Sequence, residues 1–222
     1  MPVEGARADI LIETLRADAS GEISLWDWHL ARLTRSADVL GFSKPPADLR
    51  EQVAAHALAN QETRIRLLFS REGAVTLTSA PLGALALPAR LRLASDVLGP
   101  SAVLDSQELL LQHKSTHRPW YAQASAWLAD HPACFDLLFA NERGEWCEGS
   151  RTNLYVMHEG VWLTPPTAAG CLPGTQRARL LATGSVRIAT LHLADLHPTS
   201  RIRLSNALRG WFDAVIDVPP RQ

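Results

Sequence analysis

The chain has 222 residues, 46% of them hydrophobic, enough for one large domain or two small ones with a substantial core. A formal net charge of −1 and a pI near 6.7 exclude the basic footprint of a nucleic-acid-binding protein. No apolar run approaches the roughly 20 residues of a membrane-spanning helix, so a membrane is excluded as a partner as well.

The opening MPVEGARADI has neither the basic start nor the apolar run of a secretory signal. Asp9 to Leu15 (DILIETL) alternates and is rich in aliphatics, which predicts a strand. Trp26, Leu30, Leu33, Ala37 and Leu40 fall at helical spacing, predicting a helix from Leu25 that stops at Gly41. GFSKPP reads as a loop and Asp48 to Asn60 as a second helix. Arg64 to Ser70 and Ala74 to Ser79 predict a hairpin around Glu72-Gly73, and Arg90 to Ala94 a further strand. The first half is thus expected to be a small α/β unit with an antiparallel sheet.

Leu98 to Gln112 has weak patterning and reads as a connector. Pro119 to Asp130 is expected to be helical and Phe135 to Ala140 a strand, with a turn at Asn141 to Gly144 leading to a short strand at Glu145 to Cys147. Asn153 to Met157 and Val161 to Leu163 predict a hairpin, Gly174 to Thr183 a helix after Pro173. Val186 to Leu191, Arg201 to Leu204 and Phe212 to Ile216 complete a strand-rich second half. The expected fold class is α/β of the α+β type with two lobes: residues 1–97 a small lobe, 98–112 the connector, 113–222 the larger one, and a ligand cleft between them.

Cys134, Cys147 and Cys171 fall at no metal-ligand spacing, so no metal is expected, and a reduced cytoplasmic location is the plain reading. Only two of the 22 basic residues are lysines, Lys44 and Lys114. Lys44, beside Pro45-Pro46, reads as a surface residue. Lys114 lies in LLLQHKSTHRPWY, among His113, His117 and Arg118. Burial and neighbouring positive charge would lower its pKa and free its amine as a nucleophile. Read alone, HKST is equally a solvated turn.

HKSTHRPWY, NERGEWCEGSRTNLYV and LTPPTAAGCLPGTQRARLL resemble, in order, segments of the class IV aminotransferases, the fold-type IV pyridoxal-5′-phosphate (PLP) enzymes. HKSTHRPWY resembles that family's Schiff-base lysine segment, and NERGEWCEGSRTNLYV its NERGE…EG(S/T)xSNLF stretch. LTPPTAAGCLPGTQRARLL resembles its TPP…GxLPGxxR segment, ETLR…HLARLTRSADVLGF its opening strand and first helix, and LSNALRGW its N(A/S)LRGW segment. The motifs stand in family order from about Ile12 to Trp211. The likeness is strongest to short aminodeoxychorismate lyase-like members.

The resemblance implies PLP as cofactor, carried covalently by Lys114, which also shuttles the proton. It implies that Glu148 faces the pyridine nitrogen, where a carboxylate keeps the ring protonated. Arg32 matches the arginine that grips the cofactor phosphate, Thr175 and Gln176 the pair whose backbone amides bind it at a helix N-terminus, and Ser205, Asn206 and Ala207 the last turn over it. Asn153 reads as structural, capping the EGSRTN turn. Arg16, Arg118 and Arg209 are candidates for substrate carboxylates. Branched-chain aminotransferases carry a tyrosine five residues after the lysine, beside the cofactor's phenolic oxygen; that position is Pro119 here, and Tyr121 is its candidate substitute. Trp120 is an unusually bulky neighbour. The chain also starts almost at the ETLR strand, so the N-terminal hairpin of longer members is expected to be absent.

The implied activity is the splitting of 4-amino-4-deoxychorismate into 4-aminobenzoate and pyruvate. The alternatives are transamination of branched-chain or D-amino acids, or a non-catalytic PLP-binding homologue. A small-molecule amino substrate and a homodimer are implied as partners.

Overall fold

The alternating segment at the start does form a strand: β1 (Ile10–Ala17) buries Leu11, Leu15 and Ala17, and with them the charged Glu13. The computed structural model of the chain describes residues 8–197 and 199–217, so most of the segment read for a secretory signal lies outside the described residues. α1 (Trp26–Leu40) follows and ends at Gly41, whose φ of 71° lies in the left-handed region where a side chain is strained.

The buried face of α1 is rotated from the apolar stripe expected. Trp26, His29, Arg32, Leu33, Ser36 and Ala37 point inward, whereas Leu30 and Leu40 remain partly exposed. The inner polar groups have partners there: His29 and Arg32 bond to Glu13, and Ser36 Oγ lies 2.9 Å from His113 Nδ1. α2 (Leu49–Ala54) is shorter than expected, because the chain tightens through His56 N–H to Val53 O and Ala57 N–H to Ala54 O bonds before turning away. β2 (Thr63–Ser70) and β3 (Val75–Pro81) form the predicted hairpin, and β1 pairs antiparallel with β2 to give the order β1-β2-β3. Phe42 stacks on Phe69 of β2, with the Arg71 guanidinium over the Phe42 ring.

The chain forms two compact units, Met1–Ala84 with His113–His117, and Leu85–Gln112 with Arg118–Gln222. This division differs from boundaries at residues 97 and 112, and hydrogen bonding explains the difference. β4 (Ala89–Leu93), expected in the first half, pairs in parallel with strands from the second. The supposed connector contains α3 (Ala94–Leu98) and β5 (Val103–Leu104), which pairs with a later strand. His113–His117 returns to β1: Ile12 N–H donates to Lys114 O at 2.7 Å and Thr116 N–H to Ile10 O at 3.0 Å.

In the second unit, α4 (Ala122–Asp130) leads to β6 (Asp136–Asn141), β7 (Trp146–Gly149), β8 (Asn153–His158) and β9 (Val161–Thr164). After α5 (Thr175–Ala182) come β10 (Arg187–Ile188), shorter than expected, β11 (Ile202–Asn206) and β12 (Gly210–Ile216). The strand order is β10-β9-β8-β11-β12-β4-β6-β5, and β7 pairs with both β6 and β8. The second sheet is therefore barrel-like, with β8, β11, β12, β4, β6 and β7 forming a ring. Leu91, Leu138, Leu154, Leu204 and Phe212 pack together in its core. Among the described residues, no helix is long and apolar enough to cross a membrane, and no group of three or more His, Cys, Asp or Glu residues is placed to hold a metal.

Candidate active site

Each unit carries part of the predicted site. In the first, Lys114 is half-buried in the extended segment that pairs with β1, where Leu11 faces Ser115. Facing residues on β1 and α1 form a buried polar network. Glu13 Oε1 accepts from Arg32 Nε at 2.8 Å; its Oε2 accepts from a terminal nitrogen of Arg32 at 2.5 Å and lies 2.6 Å from His29 Nδ1. Burial would raise the Glu13 pKa, but the charge of Arg32 and the bonds from His29 and Arg32 outweigh it and hold the carboxyl at about 2. Burial lowers the His29 pKa; the negative charge of Glu13 opposes this, and the positive charges of Arg32 and Lys114 add to it. His29 is thus a neutral imidazole that donates from Nδ1, leaving Nε2 buried without a hydrogen-bond partner.

Arg16, the candidate on β1, pairs with the Glu62 carboxylate, both side chains partly exposed.

In the second unit, β7 delivers Glu148. One extra residue, Cys147, is accommodated opposite the Phe139/Ala140 step of β6, a bulge directly before the acid. The Glu148 side chain is buried and three donors converge on it. Tyr121 OH donates to Oε1 at 2.8 Å, while Leu172 N–H and Asn153 Nδ2 donate to Oε2 at 2.9 and 3.2 Å. That set suits an acceptor-only carboxylate. Arg118 sits beside it, its guanidinium 4.7 Å from the Tyr121 ring centroid and one terminal nitrogen donating to Ser150 O at 2.9 Å.

Asn153 therefore has a different job from the one its sequence context suggested. It ties Glu148 to Leu172 O, 2.8 Å from its Nδ2, while Asp136 closes the EGSRTN turn. The fully buried Asp136 carboxyl accepts from Ser150 Oγ, Thr152 Oγ1 and the Arg151 and Leu137 N–H groups, and burial raises its pKa.

α5 begins at Gly174 with no side chain capping its first N–H groups. A Cβ on Gly174 would collide with Asn153 Oδ1, so only glycine allows this approach. Thr175 and Gln176 are buried in its first turn, and Thr175 Oγ1 is buried without a hydrogen-bond partner. The helix packs beside β11, which ends at Ser205 and Asn206. Ser205 Oγ lies 2.8 Å from Tyr155 OH, and Asn206 Oδ1 accepts from the Leu208 and Arg209 N–H groups, shaping the turn that contains Ala207 and Arg209.

The second unit thus brings together Glu148, Tyr121, Arg118 and the Gly174 helix start; in the first, Lys114 and Arg32 both lie within electrostatic reach of His29. Glu13 and His29 were not singled out from the sequence, although a glutamate inside an aliphatic strand segment was a usable signal. Among the described cysteines, Cys147 and Cys171 are buried free thiols whose pKa values burial pushes up, Cys171 to about 12.

Residues 10–215 match the family model described as "Amino-transferase class IV". A Schizosaccharomyces pombe protein named "Putative aminodeoxychorismate lyase" is 29% identical over 218 residues, covering 96% of this chain and 91% of its own. Among solved structures, the "Putative amino-acid aminotransferase" of Mesorhizobium loti is 36% identical with a TM-score of 0.82, over 94% of this chain and 99% of the other. The "Putative 4-amino-4-deoxychorismate lyase" of Legionella pneumophila shares the fold, with a TM-score of 0.79 at 21% identity over 96% of this chain and 86% of its own. The chain is a member of the class IV aminotransferase family, an enzyme family that works with pyridoxal 5′-phosphate.

Proposed function

We propose that the chain binds PLP through Lys114 and splits 4-amino-4-deoxychorismate into 4-aminobenzoate and pyruvate. The observation that carries the cofactor reading is the buried Glu148 carboxylate with its three donors. The residues present fit the group. The start of α5 offers N–H groups uncapped by any side chain, a glycine-only approach at Gly174 and the buried, unpartnered Thr175 hydroxyl, the features that a phosphate needs. Thr175, Gln176, Ser205, Asn206 and Ala207 would hold that phosphate, with Arg32 as its cation, oriented by Glu13.

When bound, PLP supplies an aldehyde that joins an amine and a ring that accepts electrons from the substrate carbon. Lys114 provides that amine at Nζ and carries the proton removed from the substrate. Glu148 would hold a proton on the ring nitrogen of the bound group through its carboxylate. Arg118 and Arg209 meet substrate carboxylates; Arg16, engaged with Glu62, contributes least. The substrate is a small amino compound and the working assembly a homodimer.

The S. pombe similarity over nearly the whole chain favours the lyase outcome. The M. loti similarity, at 36% identity, favours the second reading, transamination. The test is incubation of PLP-loaded protein with 4-amino-4-deoxychorismate and no amino acceptor. Release of 4-aminobenzoate and pyruvate in equal amounts is expected. Amino transfer in a panel of keto acids with L- and D-amino donors, without that release, would overturn the lyase in favour of transamination.

A further inference from the structure

We propose that Tyr121 is the positioning residue of the Glu148 carboxylate, fixing Oε1 while β8 and the segment before α5 fix Oε2. This rests on the reading that Glu148 serves the PLP ring nitrogen. It gives Tyr121 a place on the acid side of that ring, instead of beside the phenolic oxygen.

The local chain explains how the hydroxyl gets there. Pro119 opens a single 3-10 turn, Pro119–Tyr121, closed by the Tyr121 N–H donating to Arg118 O at 3.1 Å. Proline is well suited to that first position, having a preset φ and no N–H to satisfy. The turn drives the Tyr121 ring into the core that contains Phe139, Cys147 and Cys171. There the edge-on contact with Phe139, centroids 5.1 Å apart, and the Arg118 guanidinium fix the ring plane. Arg118 is itself held by Ser150 O, on the loop that follows Glu148. Donor and acceptor are therefore anchored to the same short stretch of chain, and the 2.8 Å bond joins two immobilised groups.

The phenol also keeps its proton. Burial and the neighbouring negative charge of Glu148 raise its pKa well above the usual tyrosine value, so the hydroxyl remains a donor throughout the neutral range. Oε2, with donors from Leu172 and Asn153, is held independently. Losing the phenol therefore leaves the carboxylate held at Oε2 while Oε1 loses a fixed donor, and redistributes its charge.

The test compares wild type, Tyr121→Phe and Phe139→Leu, each titrated with PLP and scanned for its visible absorption and thermal midpoint. Tyr121→Phe keeps the ring packing and loses only the hydroxyl. It is expected to retain its Tm within a few degrees, shift the absorption maximum and bind PLP about tenfold more weakly. Phe139→Leu loosens the packing around the ring but keeps the hydroxyl donor; it is expected to lower the Tm and to leave the absorption maximum nearer the wild-type position than Tyr121→Phe does. A Tyr121→Phe protein with wild-type absorption and affinity overturns the proposal, as does a shift that merely follows Tm in both variants. Wild type that binds no PLP overturns this proposal together with the functional reading beneath it.

Discussion

Glu13 engages Arg32 as a fork, one carboxylate oxygen on Nε at 2.8 Å and the other on a terminal nitrogen at 2.5 Å, with both side chains buried. Replacing Glu13 with Gln removes the negative charge and leaves the guanidinium without it. Breaking a buried pair from one side typically costs about 3–5 kcal/mol, and urea denaturation at pH 7 is expected to show a loss of that order. Because the folded carboxyl titrates at about 2, below its ordinary 4.5, its contribution is complete above pH 4.5 and fades as the pH falls towards 2. Wild type should lose about 3 kcal/mol across that window and Glu13→Gln far less.

A second acid-sensitive contribution lies nearer neutrality. Burial depresses the pKa values of His29 and His113, so the unfolded chain takes up protons that the folded one refuses. Stability is expected to be highest above about pH 6.5 and to fall below it, by about 1 kcal/mol at pH 5.5 for each histidine that stays neutral. Urea midpoints at pH 7.5, 6.5 and 5.5 measure this. A flat response would count against the neutral, Glu13-bonded imidazole.

Asp136→Asn probes the turn between Glu148 and Asn153. The carboxylate accepts four hydrogen bonds there, and an amide would present N–H groups to two of those donors. A loss of about 1–3 kcal/mol is expected in chemical denaturation, together with weaker PLP binding, because the turn carries two of the residues around the acid. Unchanged stability would mean that the loop can re-form around a neutral side chain.

Lys114→Ala separates the two lysines. After exposure to PLP, borohydride reduction and denaturation, wild type and Lys44→Ala are expected to retain one cofactor mass by mass spectrometry and Lys114→Ala none. Retention in Lys114→Ala would move the covalent site elsewhere.

Regular periodicity and motif order were legible in the sequence; side-chain partnerships were less so. The hairpin of β2 and β3, the helix ending at Gly41 and the strand-rich second half follow from alternation and turn residues. Helical apolar spacing misjudged the inner face of α1, because His29, Arg32 and Ser36 are buried by virtue of partners on β1 and the lysine segment. β4 reads locally as one more early strand, yet its neighbours come from more than forty residues downstream, information that no local window contains. Likewise, Asn153 carries an ordinary turn signature, and its bonds to Glu148 and Leu172 O depend on a loop brought close by the fold.

β7 is only four residues long, yet it is the stitch that joins β6 to β8, and the acid rides on it. The perimeter of the strand ring, more than the length of any loop, sets where that carboxylate lies. Lengthening the outlying margins at β10 or β5 leaves the perimeter unchanged. A one-residue slip of β6 against β4 would instead carry Glu148 away from its three donors, so the register of an ordinary inner strand guards the chemistry.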